Sequence, residues 1–430
     1  MRILPRPFSE FQLSAPVGIA AISLAATFHL AAEPATPAQS PLPHCISAKS
    51  PVADLAPAKG DARTDDTDAL QTRIDWALEH GAGLDLEPGT YLISRTLRVR
   101  QTNGRAALGF EITGLAGPNR DGDPARGGVC IILSKTASDQ PAIMELGEGG
   151  FRDMKISNLS LISNVPDAAT PTGLDMVETG FSHLVLSSVH VRNVDTAFKV
   201  SEGHARNGEA FDLYECDGSR CRRFYVNSAG QAFLHRMFGC SGDLLNGGTF
   251  VTIGGEHLGF NLDVFGASVS FAHGPKQNTF VRNTGISGCV GVWGGRVEIC
   301  DTLLNYSGGS FTCSGIVTMR GIEFTDYSGQ YPLIQAANVS NAQYTNLFEN
   351  CVIDGVPNTY PQVKFGAQPQ GDRSRNTFQS CVFRAVSGVP SAKEAQDMRA
   401  LLRDCRADGL KDPALHEVNM GDQAGARSGN

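Results

Sequence analysis

Three aspartates, Asp217, Asp243 and Asp263, stand in short segments of similar pattern, "YECDGSR", "GCSGDLL" and "FNLDVFG". If such segments stack as strands roughly 4.8 Å apart, carboxylates on neighbouring strands lie about 5 Å apart, and those two strands apart roughly 9–10 Å. These separations bracket the retaining and inverting arrangements of glycosidases, where one carboxyl is the acid and the other the nucleophile or base. Crowding of like charge would raise the pKa of one member, as a general acid requires. The three are the candidate acid/base cluster. Asp301 and Glu323 form a second-choice pair in the same expected column. The bland alternative is that acidic residues on an open face are solvated and share a column by chance.

Basic and aromatic residues lie nearby in sequence. Arg220, Arg222 and Arg223, in "GSRCRRF", could neutralise uronate or sulfate groups, and His235 and Arg236, in "FLHRMF", offer a proton carrier and a further cation. His257 and Glu256 are weaker candidates. Tyr214, Tyr225 and Trp293 could stack on sugar rings or fill an interior. Hydrolysis by paired carboxylates is the leading expectation. A lyase or epimerase, with Arg222, Arg223, His235 or Lys276 withdrawing the proton alpha to a uronate carboxyl, stays open. So does a glycan-binding or surface scaffold without turnover. No cofactor is expected beyond weak calcium binding by an acidic groove. Zinc spacings, nucleotide-binding loops and a Gly-x-Ser-x-Gly elbow are missing from the sequence.

Positioning these residues needs a framework, and the chain supplies one by repetition. "LFENCVIDGV" and "NTFQSCVFRAV" share a pattern, with cysteines at 351 and 381. Related phrases place anchors at 189, 216, 240, 262, 283, 300, 322, 351 and 381. Units too short to hold a core alone, each with alternating apolar residues bounded by Gly, Asn, Asp or Ser, imply a solenoid of stacked strands. The expected fold is all-β, a parallel β-helix solenoid with an N-terminal capping helix. The position after each anchor should face outward and reads His190, Asp217, Ser241, Asp263, Thr284, Asp301, Glu323, Val352 and Val382. Cys240, Cys300, Cys351 and Cys381 should be buried thiols filling the coil interior, and Cys216 and Cys221 are close enough to suggest a local bridge.

Composition agrees with this framework. The 430 residues include 48 glycines, 22 prolines and only 19% charged residues, which favours a turn-rich β protein. The formal charge of −8 argues against nucleic acid or an anionic membrane as partner. The polysaccharide is the expected partner, and the oligomeric state is not legible. Residues 1–32, with Arg2 and Arg6 before an apolar run, read as a signal peptide, so export to the periplasm or extracellular space is expected, with no membrane segment after cleavage. Residues 33–44 read as a Pro/Ala linker, 45–388 as the β-helix, and 389–430 as a C-terminal capping helix, starting with a box from Ser391 to Glu394, and a loose tail.

One stretch is helical. In "GDARTDDTDALQTRIDWALEHGAGLDLEPGTYLIS" a helix is expected over about 65–80, with Thr64, Asp65 and Asp66 at its start. Leu70, Ile74, Ala77 and Leu78 form one apolar stripe, and Gly81 suits the C′ position. A strand pair turned by Pro88 and Gly89 follows. The helix would cover the open end of the solenoid, whose backbone groups are otherwise unpaired.

This stretch resembles the N-terminal motif of the pectate lyase superfamily, the rhamnogalacturonase and epimerase-like group of single-stranded right-handed β-helices. The resemblance implies the fold. It does not choose among glycoside hydrolases, polysaccharide lyases, uronan epimerases and phage tailspikes. The polygalacturonase pattern is missing: there is no Asn-Thr-Asp or Arg-Ile-Lys, and the only Asp-Asp pair, Asp65-Asp66, lies at the helix start.

Overall fold

The computed structural model describes residues 45–50, 54–100, 107–147, 150–165, 171–177, 180–200, 208–228, 232–254, 258–283, 287–307, 314–328, 330–331, 333–337, 343–355, 375–384, 400–403 and 405–408. All belong to one compact unit, Leu42–Asn430. The expected signal peptide, the linker, Glu256, His257, Thr284 and the box from Ser391 to Glu394 lie outside the described residues. No described helix is long and apolar enough to cross a membrane.

Among the described residues every strand pairing is parallel, and strands within the stack pair with the coils before and after them. The result is a parallel β-solenoid of about nine turns. Three faces recur in each coil. In one coil, Gly180–Arg192 supplies the first and second faces and Thr196–Val200 the third.

A single left-handed residue bends each coil from the first face to the second. These are Asn158, Ser188, Glu215, Gly239, Gly266, Gly294, Gly321, Asn350 and Ser380, with φ between 51° and 67°. Gly, Asn and short polar residues adopt this conformation at least cost. The corner amides bond to the next coil, as in Glu215 N to Phe238 O at 2.8 Å and Ser380 N to Arg403 O at 2.8 Å. The residue after each corner points inward: Leu159, Val189, Cys216, Cys240, Ala267, Ile322, Cys351 and Cys381 are all buried.

This register corrects three anchors. Ser241 pairs with Ser268, Ser268 with Arg296, and Arg296 with Glu323. The anchors between 240 and 322 are therefore 267 and 295. Leu262 belongs to the first face and Asn283 to the third, while Cys300 follows the second-face segment. Ala267 and Gly295 lack the Cys or Val signature of the other anchors, which hid them.

Cys240, Cys300, Cys351 and Cys381 are buried, as expected, and Cys216 and Cys221 join them. Cys216 and Cys221 form no disulfide. Their thiols donate separately, to Leu186 O at 3.6 Å and to Val191 O at 3.7 Å. Inward orientation on one strand path rules out a local bridge, and burial pushes the Cys221 thiol up to about 12.

The capping helix spans Thr67–His80 and ends on left-handed Gly81. Leu70, Ile74 and Ala77 are buried and Leu78 partly so, which seats the expected stripe on the first coil. Asp65 accepts from Thr67 N at 3.0 Å, while Asp66 turns back to Lys59 N at 2.6 Å and Gly60 N at 2.9 Å. Arg73, on the buried side, donates to the carbonyls of Ser47, Ser50, Leu55 and Ala56. Gly83–Leu86 and Gly89–Ile93 are not a hairpin, because each pairs with strands of other coils. At the far end, Ala400–Arg403 is a strand paired with Arg375–Gln379. There the next rung of the sheet overrides the expected helix.

Truncation of the helix stripe should weaken the whole stack. Ile74→Ala is expected to cost about 2–5 kcal/mol, read as a lower urea midpoint in equilibrium unfolding.

Candidate active site

Outward residues on the second face fall into two columns. The first runs Ser160, His190, Asp217, Ser241, Ser268, and the second Ile162, Arg192, Ser219, Asp243, Ser270. All of these except Ser160 and Ile162 line a cavity of about 480 Å³, which Arg220 lines as well. Arg120 and Asp121 reach the same cavity from the segment 115–128.

Asp217 is the hub. Its Oδ1 lies 3.2 Å from His190 Nδ1, and its Oδ2 accepts from Arg120 Nη1 at 3.3 Å. Burial raises its pKa, but the neighbouring His190, together with Arg120 and Ser241, outweighs this and holds the carboxyl below its ordinary value. Asp217 therefore stays ionised and orients the imidazole. His190 is only 4% exposed, and both of its ring nitrogens are buried without a hydrogen-bond partner, Nδ1 facing Asp217 at 3.2 Å. A proton on Nδ1, towards Asp217, would make Nε2 the basic nitrogen of the neutral ring.

The remaining charges divide into paired and unpaired groups. Arg192 Nη1 lies 3.4 Å from Asp121 Oδ1, which also pairs with Arg126. Arg220, exposed beside the cavity at φ 51°, has no carboxylate partner among the described residues. Asp243 is likewise exposed and without an ion-pair partner among them. Among the described residues no cluster of three or more His, Cys, Asp or Glu side chains could hold a metal ion.

No protein-family model matches the sequence, and no curated protein sequence does. Solved structures share its architecture. PfbA, a surface adhesin of Streptococcus pneumoniae, matches with a TM-score of 0.51 at 12% identity, over 84% of this chain and 88% of that one. The chain is a parallel β-helix. The A-module of the Azotobacter vinelandii mannuronan C-5 epimerase AlgE4 matches with a TM-score of 0.38 at 11% identity, over 82% of this β-helix and 98% of that chain. ORF18 of Geobacillus virus E2 matches at 0.44 and 14% identity over 79% of this β-helix, which spans 62% of the viral chain.

The β-helix brings Asp217, Asp243 and Arg220 together and places the other expected residues elsewhere. Asp263 pairs in register with Arg236 and Gly291 on the first face. The slipped anchor at 262 had put it in the Asp217 column. Arg236 is held there by a two-pronged bond to Asp212, at 2.7 Å on each prong. Arg222 and Arg223 turn round the next corner and pair with Asp195. Asp301 is buried, accepting from Asn278 N at 2.8 Å and from Ser328. Glu323 keeps its column, but it stands beyond the cavity near Arg296. Lys276 lies in an exposed turn near Asn246.

His235 points into the interior and is fully buried, so it does not face the groove. Its Nε2 donates to Gly208 O at 3.1 Å, and Nδ1 accepts from Tyr225 OH at 2.5 Å. Tyr225 is therefore interior too. Tyr214 and Trp293 point outward on the first face, at the two ends of a stack through Phe238 and Phe265 with centroids 4.9–5.0 Å apart.

His190, Arg120, Asp121 and Arg192 were missed as site residues. His190 headed the same expected column as Asp217, so its signal was present. Arg120 and Asp121 lie about a hundred residues away along the chain, and no local pattern links them to Asp217.

Burial depresses the His235 pKa to about 4, against weaker raising effects of Gly208 O and Asp212. Between its ordinary value and 4 the unfolded chain binds the extra proton, so stability is full above about pH 6.5 and falls as pH drops towards 4. The loss is on the order of 3 kcal/mol. The fall in stability from pH 7 to pH 4 should shrink by that order in His235→Gln, measured by urea unfolding at both pH values.

Proposed function

We propose that this protein acts on an acidic polysaccharide by withdrawing the proton alpha to a uronate carboxyl, as a lyase or an epimerase. The observation that carries this reading is the free Nε2 of a buried His190 whose other nitrogen faces ionised Asp217, 3.2 Å away. A carbon acid of this kind ionises only when its carboxylate is neutralised. Unpaired Arg220 and the spare donors of Arg120 and Arg192 are the cations available for that in the same cavity. His190 Nε2 would take the proton. The electron pair left behind either expels the glycosidic oxygen at the beta carbon, that oxygen taking a proton from water, or takes a proton from water on the opposite face.

Hydrolysis by Asp217 and Asp243 is the second reading. It is favoured by their positions on neighbouring coils in one cavity. In that reading Asp217, held below its ordinary pKa, would be the nucleophile or base and Asp243 the general acid.

The test is a panel of uronate-containing and neutral polysaccharides, assayed for unsaturated products, for solvent deuterium entering the sugar, and for new reducing ends. Elimination or deuterium exchange is expected, with His190→Gln slower by about 10²–10⁴-fold and Asp243→Asn close to wild type. Reducing ends without unsaturation, abolished in Asp243→Asn, would replace this reading with hydrolysis. Binding without turnover would make the protein a glycan-binding scaffold.

A further inference from the structure

The outward column that carries His190 passes from covered to open along the solenoid axis. In register order it reads Cys130, Ser160, His190, Asp217, Ser241, Ser268 and Arg296. Alternation along each strand turns all seven away from the interior. Yet Cys130 and Ser160 are 0% exposed and His190 4%, whereas Ser268 and Arg296 are exposed. Something lies over the first part of the column.

The cover is the segment 115–128, a strap across the second face. Beneath it, Cys130, Ile132 and Ile162 form a small apolar cluster on the outside of the coil, packed with Leu92. Such residues on an outward face make sense only under a cover. Gly122 lies so close that a Cβ there would be 2.9 Å from Ile132 Cδ1 and 3.4 Å from Ile162 Cδ1. Asn119 braces the strap, accepting from Gly122 N at 3.1 Å and donating to Asp123 O at 2.8 Å. Asp123 accepts in turn from Ala125 N at 2.9 Å. Arg120 to Asp217 and Asp121 to Arg192 tie its edge to the cavity.

We infer that the strap closes one end of the groove at His190, so that a glycan enters with a chain terminus against the strap and the protein acts at chain ends. This rests on the reading of His190 and Asp217 as the reactive centre. A chain continuing past His190 would have to lift Gly122 off the two isoleucines and break both ion pairs. In the other direction the column from Asp217 to Arg296 offers an open track of roughly 14 Å, three rungs of the sheet. Its floor of Ser241, Ser268, Ser219 and Ser270 can bond sugar hydroxyls.

The test uses binding, independent of turnover. The His190→Gln protein is titrated by calorimetry with a panel of acidic and neutral oligosaccharides, unlabelled or carrying a bulky group at the reducing or the non-reducing end. One labelled form should bind like the unlabelled sugar, and the other at least about tenfold more weakly, a difference of ~1.4 kcal/mol. Replacing 119–127 by a short glycine linker should abolish that difference. Equal binding of both labelled forms, or loss of binding by both, overturns the inference. If the shortened strap unfolds the chain, the discrimination shown by the His190→Gln protein itself still decides. One-ended binding without turnover in the wild-type protein would leave chain-end recognition standing and sink the α-proton reading. Failure of every oligosaccharide to bind would overturn both.

Discussion

One left-handed residue at the corner between the first and second faces of each coil, stacked on its counterpart in the next coil, governs this molecule. Each corner from Asn158 to Ser380 bends the backbone once, and its amide bonds across to the neighbouring rung. That bond fixes which residue follows the bend, and strand alternation then fixes the direction of every side chain after it. The buried anchors and the outward columns are two consequences of the same constraint.

The interior uses that register to stack like on like. The thiols of Cys216 and Cys240 occupy consecutive rungs, as do those of Cys351 and Cys381, and each donates to a carbonyl of the coil below. Phe224, Phe250 and Phe280 stack inside with centroids 4.8 and 5.4 Å apart, each such pair adding about 0.5–1.5 kcal/mol beyond its buried area. Buried Asn346 donates to Asn376 Oδ1 at 2.7 Å while accepting from Tyr306 OH at the same distance. Polar groups are tolerated here because the rung above or below supplies their partners.

The outer surface departs from this self-sufficiency beneath the strap. Where the strap covers the second face, both ring nitrogens of His190 and Ser160 Oγ, on adjacent rungs, are buried without hydrogen-bond partners. Unpartnered buried groups cost free energy in an apolar setting. Their neighbours are Asp217, held below its ordinary pKa, and Arg220, which has no carboxylate partner among the described residues. The paired charges elsewhere, such as Arg236 with Asp212, are already satisfied.

The sequence by itself determined the class of fold, the capping helix with its stripe and Gly81 terminus, and the burial of the recurrent cysteines. Local signals suffice for these, because a corner residue followed by a small apolar one recurs in "EC", "GC", "NC" and "SC". It also put His190, Asp217 and Ser241 in one column, since those three coils carry clear anchors. Where the anchor was Ala267 or Gly295 the signal vanished, and Asp263 and Asp301 were misplaced with it. Only the tertiary structure decided that His235 turns inward, that Arg222 and Arg223 bend away to Asp195, and that Arg120 arrives at Asp217 from a distant strap. The physical reason is that a column is defined by hydrogen bonds between rungs, so its membership depends on pairing across coils and not on any one segment.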